Sequence, residues 1–450
     1  MESAPAGDSF AGRLAHRLPF FYGWVIVFLG FMGVFMMGAT TFWAIPVFIG
    51  PMQEDTGWSR GLIFGALTTR FIVGAFFGML LGRFADTRGG PPRLLFFGLL
   101  IDVTCLASLR FVDTSWQFVL LYGVIGGAGN TGMRLVQSTL VSKWFVFKRS
   151  TAIGLSSIGG GVSALVMVPI TEALIGSIGW RDTWVVLAGL LLVCMLPMVP
   201  LAIRSPEDVG LLPDNGEVPK QGARQRVTAA TERSFTLREA TRTLRFWVLL
   251  LAIVFGSYSL QTNTIIMKPY FDEIGFTSAV SASALSIYGL FSIGARFLWG
   301  YVSGRFSGRQ ALIMQSVATA LAVVLLLQVD SQTFLYFAVA YTGLMLGGFP
   351  ILGQLLWPEY FGRAHIGSIT GLVQFVTTLI GALGPLIAGV VSDQTGSYET
   401  ALYVLIGTWL ACGAVIFAIR PERTPPPAHS PPAGRGTEEE AASLEAASAP

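Results

Sequence analysis

The sequence predicts an all-α membrane protein with twelve transmembrane helices arranged as two pseudo-symmetric six-helix halves. Three observations predict it. Of 450 residues, 53% are hydrophobic and 12% charged, with a mean hydropathy of +0.63, against roughly 25% charged residues in a soluble protein. The apolar residues fall into twelve segments of about 20 residues or more, each long enough to cross a hydrocarbon core of about 30 Å. The second six segments repeat the turns of the first.

A polar tail, 1–19, carries Arg13 and Arg17. The first half follows over 20–203, with segments near 20–45, 60–82, 93–111, 116–141, 150–175 and 183–203. The first of these is too long for a signal-peptide core and has no small-residue cleavage site, so it reads as a helix of the mature protein. A polar middle stretch, 204–244, separates the halves. The second half covers 245–419, with segments near 245–270, 280–303, 310–329, 333–357, 365–391 and 399–419. The tail 420–450 is rich in proline, alanine and glutamate, a composition that favours disorder.

Twelve crossings leave both tails on one side. That side carries Arg83, Arg88, Arg93, Lys143, Lys148, Arg149, Arg305, Arg309 and Arg363 in its turns, and the middle stretch adds Arg204, Lys220, Arg224, Arg226 and Arg233. The opposite side has Arg60, Arg110, Arg181 and Lys268. The excess of basic residues places both termini in the cytoplasm, in a multi-pass protein of the cytoplasmic (inner) membrane that is expected to be a monomer in the lipid bilayer. Within the middle stretch, residues 235–247, FTLREATRTLRFW, can form a basic amphipathic helix on the membrane surface, or a plain helical lead-in to the seventh span. The net charge of +3 therefore describes topology and points to no nucleic-acid partner. Cys105, Cys194 and Cys412 lie in apolar runs and the histidines are scattered, so no disulfide framework, metal site or cofactor is expected. No Ser/His/Asp set or nucleotide loop is present, which argues against an enzyme.

The repeat is visible in the turns. PMQEDTGWS at Pro51 lines up with PYFDEIGFT at Pro269: Glu54 meets Asp272, Asp55 meets Glu273 and Gly57 meets Gly275. At the same offset Gly82 meets Gly300, and close to it Gln137 meets Gln354 and Gly179 meets Gly396. Parallel repeats of this kind occur in secondary transporters, whose binding sites lie near the midplane between the halves.

Residues 284–309, ALSIYGLFSIGARFLWGYVSGRFSGR, place Arg296 near the middle of a hydrophobic helix. An arginine at that depth costs a few kcal/mol or more, and such residues often mark a substrate path. Arg70 and Arg134 also fall inside spans, whereas Asp102 and Glu172 are the corresponding acids. This surplus of positive charge suits an anion, because a guanidinium fork matches the two oxygens of a carboxylate. Estimated depths put Arg70 and Asp102 within reach of each other, which predicts a buried structural ion pair. The competing arrangement leaves Arg70 as a second anion site and pairs Asp102 with Arg134.

GRFADTRGGPPR at Gly82 resembles the loop signature of the major facilitator superfamily, with Gly82, Asp86, Arg88 and Gly89 fitting it and Thr87 departing from its arginine. Gly300 to Arg309 is similar to the weaker second copy, without the aspartate. FYGWVIV at Phe20, DTGWSRG at Asp55, YGVIGGAG at Tyr122 and KWFVFKRSTAIGL at Lys143 resemble the bacterial branch related to oxalate/formate antiporters and monocarboxylate transporters. The resemblance implies that Gly82, Asp86, Arg88, Gly89, Gly300 and Arg305 serve as a conformational switch. It implies that Arg296 binds the substrate carboxylate, and that spans one, four, seven and ten line the cavity, where Arg134, Gln137, Gln261, Asn263, Tyr341 and Gln354 are further candidates. Phe42 and Trp43 are expected to pack against neighbours or lipid. Ser292 stands where many monocarboxylate transporters carry an aspartate for proton coupling, and span eleven lacks the lysine of oxalate transporters. The expected function is secondary active transport of a small organic anion, foremost a monocarboxylate, with a proton as the coupling ion carried over from the resemblance. Anion exchange, export of a drug-like acid or dicarboxylate, and a transport-inactive sensor stay open as alternatives.

Overall fold

The computed structural model describes residues 10–85, 87, 89–145, 148–216, 235–361 and 366–419. Over these residues the apolar segments form twelve helical rods. In the first half, span one is Gly23–Thr56, span two Arg60–Ala85 and span three Gly90–Ser108. Span four runs end to end through Ser115–Phe118, Val119–Ile125 and Gly126–Trp144. Spans five and six lie in one run, Arg149–Met195, broken at Gly179 (φ 80°, ψ 164°). In the second half, span seven is Leu244–Glu273, span eight Ser278–Arg305, span nine Gly308–Leu327, span ten Gln332–Phe361, span eleven Ile366–Thr395 and span twelve Glu399–Ala418.

Several helices outrun the apolar segments that announce them. Span one continues to Thr56 rather than ending near 45: Val47, Phe48, Ile49 and Met52 stay buried in the helix, Pro51 is accommodated within it, and only its last turn, from Gln53, is polar. A continuous helix over 235–247 does not form. Thr236 and Glu239 cap a short helix, Leu237–Thr241, and Thr243 then caps span seven by accepting from the Phe246 amide at 3.3 Å. Two strong N-caps so close together split the segment. The Phe235 amide donates to the Phe361 carbonyl at 3.0 Å and its ring packs edge-on to Phe361, which pins the segment to the end of span ten. The expectation of a disordered tail over 420–450 falls outside the described residues, as do residues 217–234 of the middle stretch.

The matched turns of the repeat share backbone geometry. Gly57 (φ 70°) and Gly275 (φ 100°) end spans one and seven in the left-handed region, and Gly179 and Gly396 (φ 77°) do the same after spans five and eleven. A side chain there would be strained, so glycine recurs. These turns mark one end of the bundle, here the far end. The other, the tail end, carries the helix Phe10–Arg17, whose His16 ring bonds the Val209 carbonyl at 2.9 Å.

The two halves meet along two seams. At the first, Gly161 of span five faces Gly289 of span eight so closely that a Cβ on Gly289 would lie 2.6 Å from the Gly161 carbonyl oxygen. At the second, Gly389 of span eleven lies against Phe64 of span two, and Thr68 Oγ1 donates to the Ala382 carbonyl at 2.6 Å. Glycine removes the side chain that would hold such helices apart.

The first half is tied together by Arg70. Its Nη2 donates to Asp102 Oδ1 of span three at 2.7 Å, its Nε to Thr41 Oγ1 of span one at 3.2 Å, and its Nη1 to the Tyr122 carbonyl of span four at 3.1 Å. The guanidinium also sits 4.7 Å from the centre of the Tyr122 ring. Both acceptors outside span three lie in π-helical turns, Gly38–Phe42 and Val119–Ile125, where an extra residue loosens the ladder and turns groups toward the bundle interior. Arg70 is 2% exposed and Asp102 0%, so the pair is out of reach of water and of the central cavity.

Candidate functional site: a central cavity between the halves

A cavity of about 280 Å³ lies between the halves in the tail-end part of the bundle. Spans one, two, four, seven, ten and eleven build its wall. Arg134 of span four is the one charged side chain among the described residues that line it. Carboxamides come from Gln261, Gln354 and Gln374, and hydroxyls from Ser257, Thr264 and Thr370. Four aromatic side chains, Phe42, Phe71, Phe349 and Trp357, also border it, the last three largely covered by their neighbours. A guanidinium in such a wall is partly desolvated, so an entering carboxylate interacts with it more strongly than in water.

The other candidates fall elsewhere. Arg296 does not line this cavity. Span eight turns that face to span five, and Arg296 Nη1 donates across the seam to Ser157 Oγ at 2.7 Å. Asn263 is fully buried within span seven and Tyr341 is half-buried in span ten; neither reaches the cavity wall. The side chain of Gln137 lies outside the described residues. Ser292 spends its hydroxyl on the Gly289 carbonyl at 2.8 Å, inside its own helix.

The far end is closed by contacts that cross the halves. Arg60 Nη1 donates to Glu273 Oε2 at 2.9 Å and also to Ser392 Oγ, and its ring partner is Tyr398, 4.8 Å away. The amides of Arg60 and Gly61 donate to the two oxygens of Asp393 at 3.0 and 2.8 Å. Nearby, the buried Lys268 ammonium lies 3.4 Å from Glu172 of the first half and 2.9 Å from Asp272. Within the halves, Asp55 accepts from Trp180 Nε1 at 3.1 Å and from Arg181, while Glu273 accepts from the Tyr398 amide at 3.1 Å. Removing the cross-half acceptors together, Glu273→Gln and Asp393→Asn with Glu172→Gln, is expected to open this end. A cysteine placed at Thr68, beneath the clasp, in a cysteine-free background should then be labelled several-fold faster from the far side. Unchanged labelling would mean the seams alone hold it shut.

A bundle of twelve rods, repeated in two halves around a central cavity and clasped at the far end, has known counterparts. Residues 30–327 and 249–448 match the Major Facilitator Superfamily. The chain belongs to this superfamily. Among relatives of this facilitator, monocarboxylate transporter 1 of Rattus norvegicus is 25% identical over 428 residues, covering 88% of the chain and 82% of the relative. The oxalate:formate antiporter of Oxalobacter formigenes is 23% identical over 427 residues, covering 93% and 95%. Solved structures with a similar fold include a D-xylose–proton symporter (TM-score 0.69, 12% identity, 89% of this chain and 98% of that one) and the nucleoside transporter NupG (TM-score 0.68, 14% identity, 88% and 99%).

Of the facilitator's loop signature, Asp86 and Arg88 lie outside the described residues, and nothing of the Gly82 environment is described. Gly89 adopts φ 72° ahead of span three, and the Gly90 amide closes the turn onto the Thr87 carbonyl at 3.0 Å. Gly300 and Arg305 are exposed at the tail end of span eight. The facilitator's aromatic wall escaped sequence reasoning. Phe42, expected to pack against neighbours or lipid, borders the cavity, and so do Phe71, Phe349 and Trp357. An aromatic residue in a membrane helix reads the same whether it faces lipid, protein or a cavity, so no local signal marked them.

Proposed function

We propose that this facilitator carries a small organic monoanion, a monocarboxylate in the first instance, across the cytoplasmic membrane by alternating access. The observation that carries this reading is Arg134: the one cation among the described residues of a wall that also holds aromatic rings and carboxamides, at the meeting of two halves whose far end is clasped. The basic residues of the tail end orient that end to the cytoplasm, so the conformation described is inward-open. A carboxylate entering from the cytoplasm meets Arg134, whose planar fork can take both oxygens. The relatives named for monocarboxylates and for oxalate and formate support an anionic cargo. One cation in the wall favours a monoanion over a dicarboxylate. Reorganisation of the halves would part the Arg60 clasp and close the tail end.

The test is uptake of labelled monocarboxylates into proteoliposomes, with and without an inward-directed pH gradient, and with or without unlabelled anion inside. Carboxylate uptake stimulated by the gradient is the outcome expected for proton symport. Uptake that requires internal anion and ignores the gradient would instead assign exchange. Absence of any carboxylate flux alongside flux of a cation or neutral solute would overturn the anion reading.

A further inference from the structure

We infer that the tail-end rim of the first half holds a binding site for one anionic phospholipid, with its phosphate on Arg93 and the start of an acyl chain in a groove between spans two and three. The site lies apart from the central cavity and does not depend on the nature of the cargo.

The groove is a second recess, of about 330 Å³. Phe84 of span two forms one wall, Phe97 and Ile101 of span three the other, and Ala128 and Gly132 of span four the floor. The three wall side chains are exposed, so the groove is open along its length. It exists because glycine draws spans three and four together. A Cβ on Gly98 would lie 2.6 Å from the Gly129 carbonyl oxygen, and Gly132 presses on the Leu94 carbonyl in the same way. The two spans therefore touch backbone to backbone, and no row of side chains fills the space outside the contact. Between Arg93 and Ile101 the groove follows span three for about 12 Å, at a rise of about 1.5 Å per residue. Apart from Arg93, every residue that lines it is apolar. An open apolar groove that runs down from the rim of a membrane span lies along the direction of the lipid tails and within the hydrocarbon layer.

Arg93 closes the groove at the tail end. It is exposed in the first turn of span three and makes no hydrogen bond or ion pair among the described residues. Its Cζ lies 3.8 Å from where a Gly89 side chain would begin, so the charge sits over the turn between spans two and three, at the rim. Pro91 and Pro92 bring no amide proton there, and the Gly90 amide is spent on the Thr87 carbonyl. The guanidinium is thus the donor that this mouth offers. Its fork matches two oxygens of a phosphodiester, and basic pockets between membrane helices take anionic headgroups. A zwitterionic lipid brings its own cation to the same place, so a lipid with a net negative charge is favoured.

The experiment titrates lipid onto the purified, delipidated full chain in detergent and counts bound molecules by native mass spectrometry. The probes are phosphatidylglycerol and phosphatidylcholine with identical tails, and glycerol phosphate as a headgroup without tails. The variants are Arg93→Gln, Ala128→Leu, which fills the floor, and Arg17→Gln, which removes an exposed tail-end arginine outside the groove. The first phosphatidylglycerol should bind the wild type at least about fivefold more tightly than phosphatidylcholine, the preference expected of one basic residue at a membrane surface. Arg93→Gln should erase that preference and Arg17→Gln should keep it. Ala128→Leu should weaken both lipids, and glycerol phosphate should displace neither. Equal binding of the two lipids by the wild type, or a preference that survives Arg93→Gln, overturns the inference. So does an equal loss in Arg17→Gln, which would assign the preference to the basic surface at large. Displacement by glycerol phosphate would leave a phosphate site with no part for the groove, and likewise overturns it. Should Ala128→Leu fail to fold, phosphatidylglycerol with tails shorter than the groove decides in its place: binding as tight as that of the full-length lipid overturns the inference.

Discussion

Arg134→Ala is expected to lower the affinity of the purified protein for its carboxylate at least about 30-fold, the loss of a charge-assisted hydrogen bond worth about 2 kcal/mol or more. Arg134→Lys keeps the charge but not the planar fork, so it should fall between the two. Arg296→Ala makes the informative contrast. In the conformation described, Arg296 bonds Ser157 across the seam and stands off the cavity wall. Its loss should therefore leave affinity within about threefold while slowing turnover, the signature of an interaction outside ground-state binding. Binding can be read by calorimetry and turnover by proteoliposome flux. Loss of binding in Arg296→Ala with full binding in Arg134→Ala would hand the substrate to the span-eight arginine instead.

Breaking the Arg70–Asp102 pair should be the most destabilising single change in the first half. Asp102→Ala leaves a guanidinium sealed from water, and such uncompensated burial costs about 3–5 kcal/mol. Arg70→Ala strands the Asp102 carboxylate, whose Oδ2 already lacks a donor among the described residues, and also releases Thr41 and the Tyr122 carbonyl. Both single variants should melt well below the wild type in detergent. The double variant should be less destabilised than the two effects added, because neither partner is then left charged and alone. A well-folded Arg70→Ala protein that melts normally but no longer binds anion would make Arg70 a ligand.

The twelve rods and the two halves could be read from the sequence because hydrocarbon thickness imposes a length on every crossing, and because glycine at Gly57, Gly179, Gly275 and Gly396 is demanded by a backbone that other residues adopt only with strain. Arg70 and Asp102 could be placed near each other from depth along two adjacent helices. What depth does not encode is rotation. Arg134 and Arg296 look alike as buried arginines, and only the azimuth of each helix sends one to the cavity and the other to Ser157. The π-helical turns at Gly38–Phe42 and Val119–Ile125 shift that azimuth part-way along spans one and four, so a register counted on an ideal helix drifts at the positions that matter most. The aromatic wall was hidden for the same reason.

The matched far-end carboxylates carry one more consequence. Asp55 and Glu273 are equivalents in the repeat, and each binds the matching residue of its own half, Arg181 or Tyr398. Beyond that they part. Asp55 takes Trp180 as well, inside its half, whereas Glu273 takes Arg60 from the other. The residue that corresponds to Arg60 in the second half is Ser278, and the one that corresponds to Arg181 is Tyr398. The two copies are thus no longer interchangeable. A chain made from two first halves in tandem would keep both internal ties and carry Arg60 twice, yet would meet it only with an Asp55 already held inside its own half, and a chain made from two second halves would have the acids without the arginine. Whatever single ancestral half gave rise to both, the clasp belongs to the divergence that followed, and it commits each half to a fixed partner.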